Sequence, residues 1–456
     1  MKDSPGLGDL REPSPRDPRG LGVVDAALIV VGSIVGAGIF LVSGDVASLV
    51  RSPAAFLATW LLGGAVALAG ALCNGELGGL FPRSGGEYVY LREAYGPSLG
   101  FLSGWTSFWI AFPGSIASLA AGLGATVAPM IGWQGAWAPR AIGAAAIVAL
   151  TGVNALGLRP GKWTQNVLSV VKLAVFVGLL ALGALVHHPG SSGLSPFFAP
   201  GDRAGGIATA LIPVLFAYSG WNAATYVSGE MRDPKRSLGR ALVLGTSLCV
   251  ALYLAINAAY LRAMPLSGLA HTKDPARVAA SLLGGDAAAA ILSPLVAVCV
   301  LSSMQASVLV GPRIYRAMAS DRLFFAPLGE LHPRTRVPVV ALAAQAVISV
   351  GLLLSGHFDE LVRFTMSAIV AFSTLTVAAV IVLRVRRPGV ERAFRVPGYP
   401  WVPALFIVVN VWMLWSVLTF GDSSPREALF GLVIVATGVP AYAAFRARAR
   451  PLENDR

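Results

Sequence analysis

The chain is built from long stretches nearly free of charge, each close to the ~20 residues that an α-helix needs to cross ~30 Å of hydrocarbon. Lipid offers the backbone no hydrogen-bond partners, so a stretch lying in it must close its own N–H to C=O bonds as a helix. Such stretches fall at residues 22–45, 54–80, 97–129, 138–158, 163–186, 205–229, 238–263, 284–317, 337–355, 361–383, 400–420 and 427–445. The expected fold is an all-α integral membrane protein with 12 transmembrane helices. Composition agrees: 13% of residues are charged, about half the ~25% of a typical soluble domain.

A net charge of +12 would suit nucleic-acid binding if it were spread over one surface. It is not. Of the 35 Lys and Arg, 26 fall in the two termini, the even-numbered loops or the span ends that adjoin those loops (Arg240, Arg313 and Arg316), eight lie toward the other side (Arg51, Arg140, Arg203, Arg262, Lys273, Arg277, Arg363 and Arg426), and Lys172 lies deep in the fifth span. This positive-inside asymmetry puts both termini in the cytoplasm, which requires an even number of spans. The expected setting is the cell membrane, with the lipid bilayer as a partner and no nucleic acid.

Residues 1–20, polar and rich in Pro and Gly, read as a disordered cytoplasmic tail, and 446–456 as a second cytoplasmic tail. No short apolar region with a cleavage site precedes the first span, so no cleaved signal peptide is expected. Cys73, Cys249 and Cys299 all lie in apolar spans and read as small buried hydrophobes. His187, His188, His271, His332 and His357 sit in loops without ligand-like spacing, so neither a metal nor another cofactor is expected.

Two spans carry glycine where a helix tolerates it poorly: GSIVGAGIF at 32–40 in the first, and FAYSGWNAA at 216–224 in the sixth. Small residues also serve close helix packing in membranes, and either segment alone fits that role. Their positions favour interruption. The two spans open successive five-helix blocks, helices 1–5 over 21–186 and helices 6–10 over 205–383, with helices 11–12 over 400–445 following. Glycine-interrupted segments at corresponding places in two halves point to a 5+5 inverted repeat, with a ligand held near the midplane. An interruption leaves N–H groups of one half-helix and C=O groups of the other without partners. The first attract a carboxylate and the second an ammonium, so such a pair can read the backbone of a zwitterionic amino acid without a charged side chain.

At these residues the sequence resembles the amino acid–polyamine–organocation superfamily, and within it the L-type amino acid transporters, of which it looks like a bacterial example. The most specific stretches are ELGGLFPRSGGEYVYLREAYG (76–96) and FAYSGWNAATYVSGEMRDPKRSLGRA (216–241). NALGLRPGKWTQNVLSVVKL (154–173), GPRIYRAMASDRLFFAPL (311–328) and FRVPGYPWVP (394–403) are consistent with it. The resemblance implies a leucine-transporter-like fold with discontinuous helices 1 and 6. It also implies that amides near Val35, Gly36, Ala37 and Gly38 hold the substrate carboxylate. The carbonyls of Ile34, Phe216, Ala217 and Ser219 would take the substrate ammonium, and the Phe216 ring would close over it. Asn222 matches the asparagine of L-type transporters, where acid-resistance antiporters carry glutamate. Without the resemblance, a lipid-facing position is the lesser, alternative reading of Phe216 and Trp221.

Ser219 and Ala37 depart from the glycine and serine common in L-type relatives, and bulk at Ser219 would favour smaller substrates. The loop around 129–140 lacks the cysteine that joins animal L-type transporters to a glycoprotein. A disulfide-linked heavy chain is therefore not expected, and the chain should be a monomer or weak homo-oligomer.

Lys172 lies nine residues into its span, ~14 Å along the axis; a snorkelling lysine is the alternative reading, but this depth favours a functional one. In sodium-independent relatives a lysine in a matching context is thought to replace a sodium ion, bracing span 1 against span 8. Here it would donate to carbonyls near Gly32, with Ser302 or Ser303 beside it. Glu76 and Glu230 read as interfacial charges, or as a cytoplasmic gate pairing with Arg232, Lys235 and Arg236. Asp25 reads as stabilising a helix N-terminus.

The expected function is a sodium-independent secondary transporter of neutral L-amino acids working by alternating access, as an exchanger. A proton-coupled amino acid or polyamine permease is the alternative, although spans 1, 3, 6 and 8 show no carboxylate at mid-depth for a polyamine. A non-transporting nutrient sensor is a further one. An enzyme is not expected, since no Ser/His/Asp grouping or HExxH is present, and no repeated pore-lining motif suggests a channel.

Overall fold

The first apolar stretch of the chain is not one helix. A computed structural model describes residues 20–36, 38–185, 196–198, 204–272, 274–355, 358–420 and 425–449, and divides that stretch into α1 (Val23–Ile34) and α2 (Gly38–Leu49). Each has 12 residues, or ~18 Å of helix, so neither alone spans a bilayer. Helix α3 (Pro53–Leu80) starts where Ser52 Oγ accepts the Ala55 amide at 3.1 Å, with Pro53 at the first helical position. The segment after it, outside the expected spans, folds into a short helix, α4 (Glu87–Tyr95).

Helices α5 (Pro97–Thr106) and α6 (Phe112–Met130) are joined by one wide π-type turn, Ser107–Ala111. Helices α7 (Ala138–Ala155) and α8 (Leu158–Leu185) follow. The second interruption comes after α9 (Ala204–Ala217), where the chain turns through Gly220 at φ +101° before a 3₁₀ helix, Ala223–Glu230. The rest comprises α10 (Pro234–Ala263), α11 (Leu266–Ala270), α12 (Pro275–Ser320), α13 (Val339–Ser355), α14 (Phe358–Arg386), α15 (Trp401–Phe420) and α16 (Pro425–Ala449). Helix α16 thus continues past residue 446, where the second tail was expected to begin. Residues 1–19 and 450–456 lie outside the described residues.

Among the described residues six helices are long and apolar enough to cross a bilayer: Pro53–Leu80, Pro97–Met130, Ala138–Ala155, Pro234–Ala263, Pro294–Ser320 and Ile369–Arg386. The short apolar helices Val23–Ile34 and Gly205–Ala217 end at the two interruptions. Helix α1 is enclosed by α8, α10 and α12, and α3 lies along α10. Close approach depends on missing side chains: a Cβ on Gly245 of α10 would sit 2.8 Å from Val30 Cβ and 2.9 Å from the Ala27 carbonyl of α1. Backbones brought this near gain van der Waals contact, which drives helix association where hydrophobicity cannot. The N-terminus of α1 is tied down by Asp25, whose carboxylate accepts from the Gly22 amide (2.8 Å), Asn166 Nδ2 (2.7 Å) and Lys162 Nζ (3.2 Å).

Candidate functional site

The two interruptions face each other. A Cβ on Gly38 would lie 3.3 Å from the Ala217 backbone, and one on Gly220 would lie 3.0 Å from Ser33 Cβ. Only glycine combines the positive φ of residue 220 with that contact. Between the interruptions, α12 and the α5–α6 turn lies a cavity of about 620 Å³, within the range of small-molecule sites. Ile34, Gly36, Gly38, Phe216, Ala217, Ser219 and Asn222 all line it. Hydroxyls from Ser103, Thr106, Ser107, Ser115 and Ser118 make one wall, and Ser303 and Ser307 contribute to another. Ala37 lies outside the described residues.

The main-chain groups at the breaks are partly engaged. Val35 N–H donates to Val31 O at 2.9 Å, and Gly36 N–H donates to Ile34 O at 2.9 Å. Ser219 N–H donates to Phe216 O at 3.0 Å. Gly38 opens α2, where the first amides of a helix have no acceptor within it. The Tyr253 hydroxyl of α10 lies 3.0 Å from Ile34 O and 3.1 Å from Ala217 O, so one phenol serves both interruptions. Val35 points away from the cavity: its side chain is buried, and its carbonyl faces α8 and α12.

Lys172 is fully buried. Its ammonium donates to Gly32 O at 3.1 Å and also to Val35 O. Ser303 Oγ of α12 meets the same two oxygens at 2.8 and 3.2 Å, whereas Ser302 is approached by Gln165 Nε2 at 3.5 Å. The carbonyls that α1 frees at its C-terminal end are thus satisfied by one cation and one hydroxyl, each from a different helix.

Sequence reasoning passed over Glu87. It lies at the start of α4, outside the expected spans, yet its side chain lines the cavity. Oε1 accepts from Asn222 Nδ2 and Ser373 Oγ, both at 2.9 Å, and Asn222 also donates to the Tyr226 hydroxyl at 3.0 Å. Burial pushes the Glu87 carboxyl up to about 7, against the lowering effect of those two hydrogen bonds. The available signal was the glutamate in GGEYVY (85–90), a polar residue directly after a tight glycine pair.

The reading of Glu76 and Glu230 as interfacial charges is corrected. Glu76 is 1% exposed; it accepts from Arg384 Nε at 2.9 Å and the Val396 amide at 2.7 Å, and forms an ion pair with Arg392, whose Nε lies 3.1 Å away. Glu230 pairs with Arg313 of α12 through Nε (2.9 Å) and Nη2 (3.2 Å), in place of Arg232, Lys235 or Arg236. A carboxylate carried into the interior needs a matched partner, and the planar guanidinium supplies two parallel bonds. Trp221 is also buried, packing on Phe406 with ring centroids 5.4 Å apart, so it does not face lipid. Among the described residues no cluster of His, Cys, Asp and Glu is placed to hold a metal.

Comparison with known proteins identifies the family. The amino acid permease family model matches residues 21–439. The serine/threonine exchanger SteT of Bacillus subtilis is 31% identical over 432 residues, covering 94% of this chain and 97% of SteT. Human b(0,+)-type amino acid transporter 1 is 28% identical over 437 residues, covering 93% and 87% of the two chains. The human large neutral amino acids transporter small subunit 2 is 28% identical over 436 residues, covering 92% and 79%. These relatives are transporters and not enzymes, and the family match over 21–439 takes in every element that lines the cavity. The chain is a multi-pass membrane protein and belongs to the amino acid permease family.

Proposed function

We propose that the protein is a sodium-independent secondary transporter that moves neutral L-amino acids by alternating access, as an exchanger. The observation that carries sodium independence is the Lys172 ammonium on the carbonyls of Gly32 and Val35. A covalently held cation does there what a bound monovalent cation would do, bracing the end of α1 against α8 and α12. The substrate carboxylate is assigned to the amides at the start of α2, around Ala37 and Gly38. Its ammonium is assigned to the carbonyls of Ile34, Phe216, Ala217 and Ser219, with the Phe216 ring closing over it and Asn222 beside it. The hydroxyl-rich wall suits small polar or aliphatic side chains, and the exchange mode is carried over from SteT.

The proposal includes a 12-span, 5+5 inverted-repeat architecture with both termini cytoplasmic. It also includes a single-chain assembly without a disulfide-linked partner, supported by the burial of all three cysteines as free thiols. The test is purified protein in liposomes preloaded with serine, alanine or leucine, with labelled amino acid outside. Uptake should require internal amino acid and be unchanged when choline replaces sodium. Uptake lost with choline overturns sodium independence. Accumulation in empty liposomes driven by external acid overturns exchange in favour of proton coupling.

A further inference from the structure

The cavity is built for a neutral solute with one exception. Among the described residues that line it, none is basic and Glu87 is the one carboxylate. Its Oε1 is oriented by Asn222 from the second interruption and by Ser373 of α14, while nothing among the described residues donates to Oε2. The titratable groups that act on it are phenols: Tyr90 on its own helix and Tyr226 on the 3₁₀ helix. Helix α14 faces it with the Ser373 hydroxyl, and the α5–α6 turn brings Ser107 and Ala111, neither of them charged, to the shared cavity. A carboxylate buried in this way is costly to ionise unless a positive charge joins it. That charge has to come with whatever enters the cavity.

We propose that Glu87 is a titratable specificity residue of this cavity, holding a proton in acid and, once ionised, receiving the side-chain ammonium of a dibasic amino acid. The proposal rests on the reading of the cavity as an amino-acid site and adds a second substrate class to it. In the protonated state Glu87 presents a neutral O–H, compatible with serine, alanine or leucine. In the ionised state Oε2 is a free acceptor for an ammonium. Because burial raises the carboxyl to about 7, the neutral form dominates below that pH and the anion above it. Selectivity for dibasic over neutral substrates should therefore rise through the neutral range.

The test compares L-lysine with L-norleucine, the same side chain without its terminal ammonium, at about pH 6 and about pH 8. Binding is read by thermal stabilisation of the purified protein and by competition against labelled alanine in liposomes, so a variant that binds without transporting still reports. Lysine should bind about tenfold more tightly at the higher pH, the ratio of ionised carboxyl for a group titrating near 7, with norleucine unchanged. In Glu87→Gln, which keeps an acceptor for Asn222 and Ser373, the pH response of lysine should vanish. In Glu87→Asp it should persist. Lysine binding equally at both pH values, or a response surviving in Glu87→Gln, overturns the proposal, because a purely structural carboxyl would not move the difference between lysine and norleucine. If norleucine, alanine and serine all fail to bind the native protein at either pH, the amino-acid reading of the cavity fails instead.

Discussion

The hydroxyl of Tyr253 lies 3.0 Å from the carbonyl oxygen of Ile34, the last residue of α1. The same oxygen atom is 3.1 Å from the carbonyl of Ala217, the last residue of α9. A hydroxyl has one proton, so it donates to one carbonyl at a time. Helix α10 therefore carries a shared latch, one donor placed between the two interruptions.

Tyr253→Phe removes this latch and keeps the ring packed against Trp60 and Tyr218. Leaving a buried carbonyl short of its donor costs about 1–3 kcal/mol. The expected outcome is amino-acid exchange reduced by about tenfold or more, with protein yield in the membrane little changed. Initial exchange rates in liposomes, normalised to reconstituted protein, check it.

Lys172→Met should reduce exchange more severely. It leaves the Gly32 and Val35 carbonyls with the Ser303 hydroxyl as their remaining side-chain donor. Ser303→Ala, with Lys172 in place, should be the milder change. Counterflow rates of the two variants, measured with and without sodium, give the comparison. A lysine variant as active as the native protein would remove the basis for sodium independence.

Gly220→Ala places a Cβ 2.4 Å from Ser33 Oγ and 3.0 Å from Ser33 Cβ, at a residue with φ +101°. The backbone strain alone costs about 1–3 kcal/mol, and the contact pushes the two interruptions apart. Exchange should be abolished while the folded protein still elutes as a single species in detergent. Size-exclusion chromatography together with uptake separates this outcome from misfolding.

Arg313→Ala strands the Glu230 carboxylate, whose side chain is 8% exposed. Breaking a buried pair by removing one partner costs about 3–5 kcal/mol, so the thermal midpoint of the purified protein should drop sharply. Replacing both residues, as Glu230→Gln with Arg313→Met, should recover much of that loss. A thermal-stability series over the three variants distinguishes a structural pair from incidental contact.

Much of the fold is legible in the sequence because it follows from local rules. A run of 20 or more apolar residues closes its own hydrogen bonds whatever surrounds it, so α3, α10 and the apolar part of α12 coincide with uncharged stretches. The interruptions fall inside GSIVGAGIF and FAYSGWNAA, where glycine weakens the helix from within. Glu87 was not legible. Nothing in the spacing of GGEYVY says that its first turn lies against Asn222, 135 residues later, or Ser373, 286 residues later. Arg313 was likewise grouped with the charges of the following loop, although its guanidinium is held inside by Glu230, 83 residues earlier.

The sequence by itself determined that the chain is helical and membrane-embedded, and where two of its helices are weak, since hydropathy and glycine act within one segment. The tertiary structure decided which groups meet at those weak points. Lys172 and Gly32 are 140 residues apart, and Tyr253 and Ile34 are 219 apart. Their meeting depends on how α1 is enclosed by α8, α10 and α12. In a medium without water each freed carbonyl or buried charge must find a partner in another helix, and that choice is made by packing.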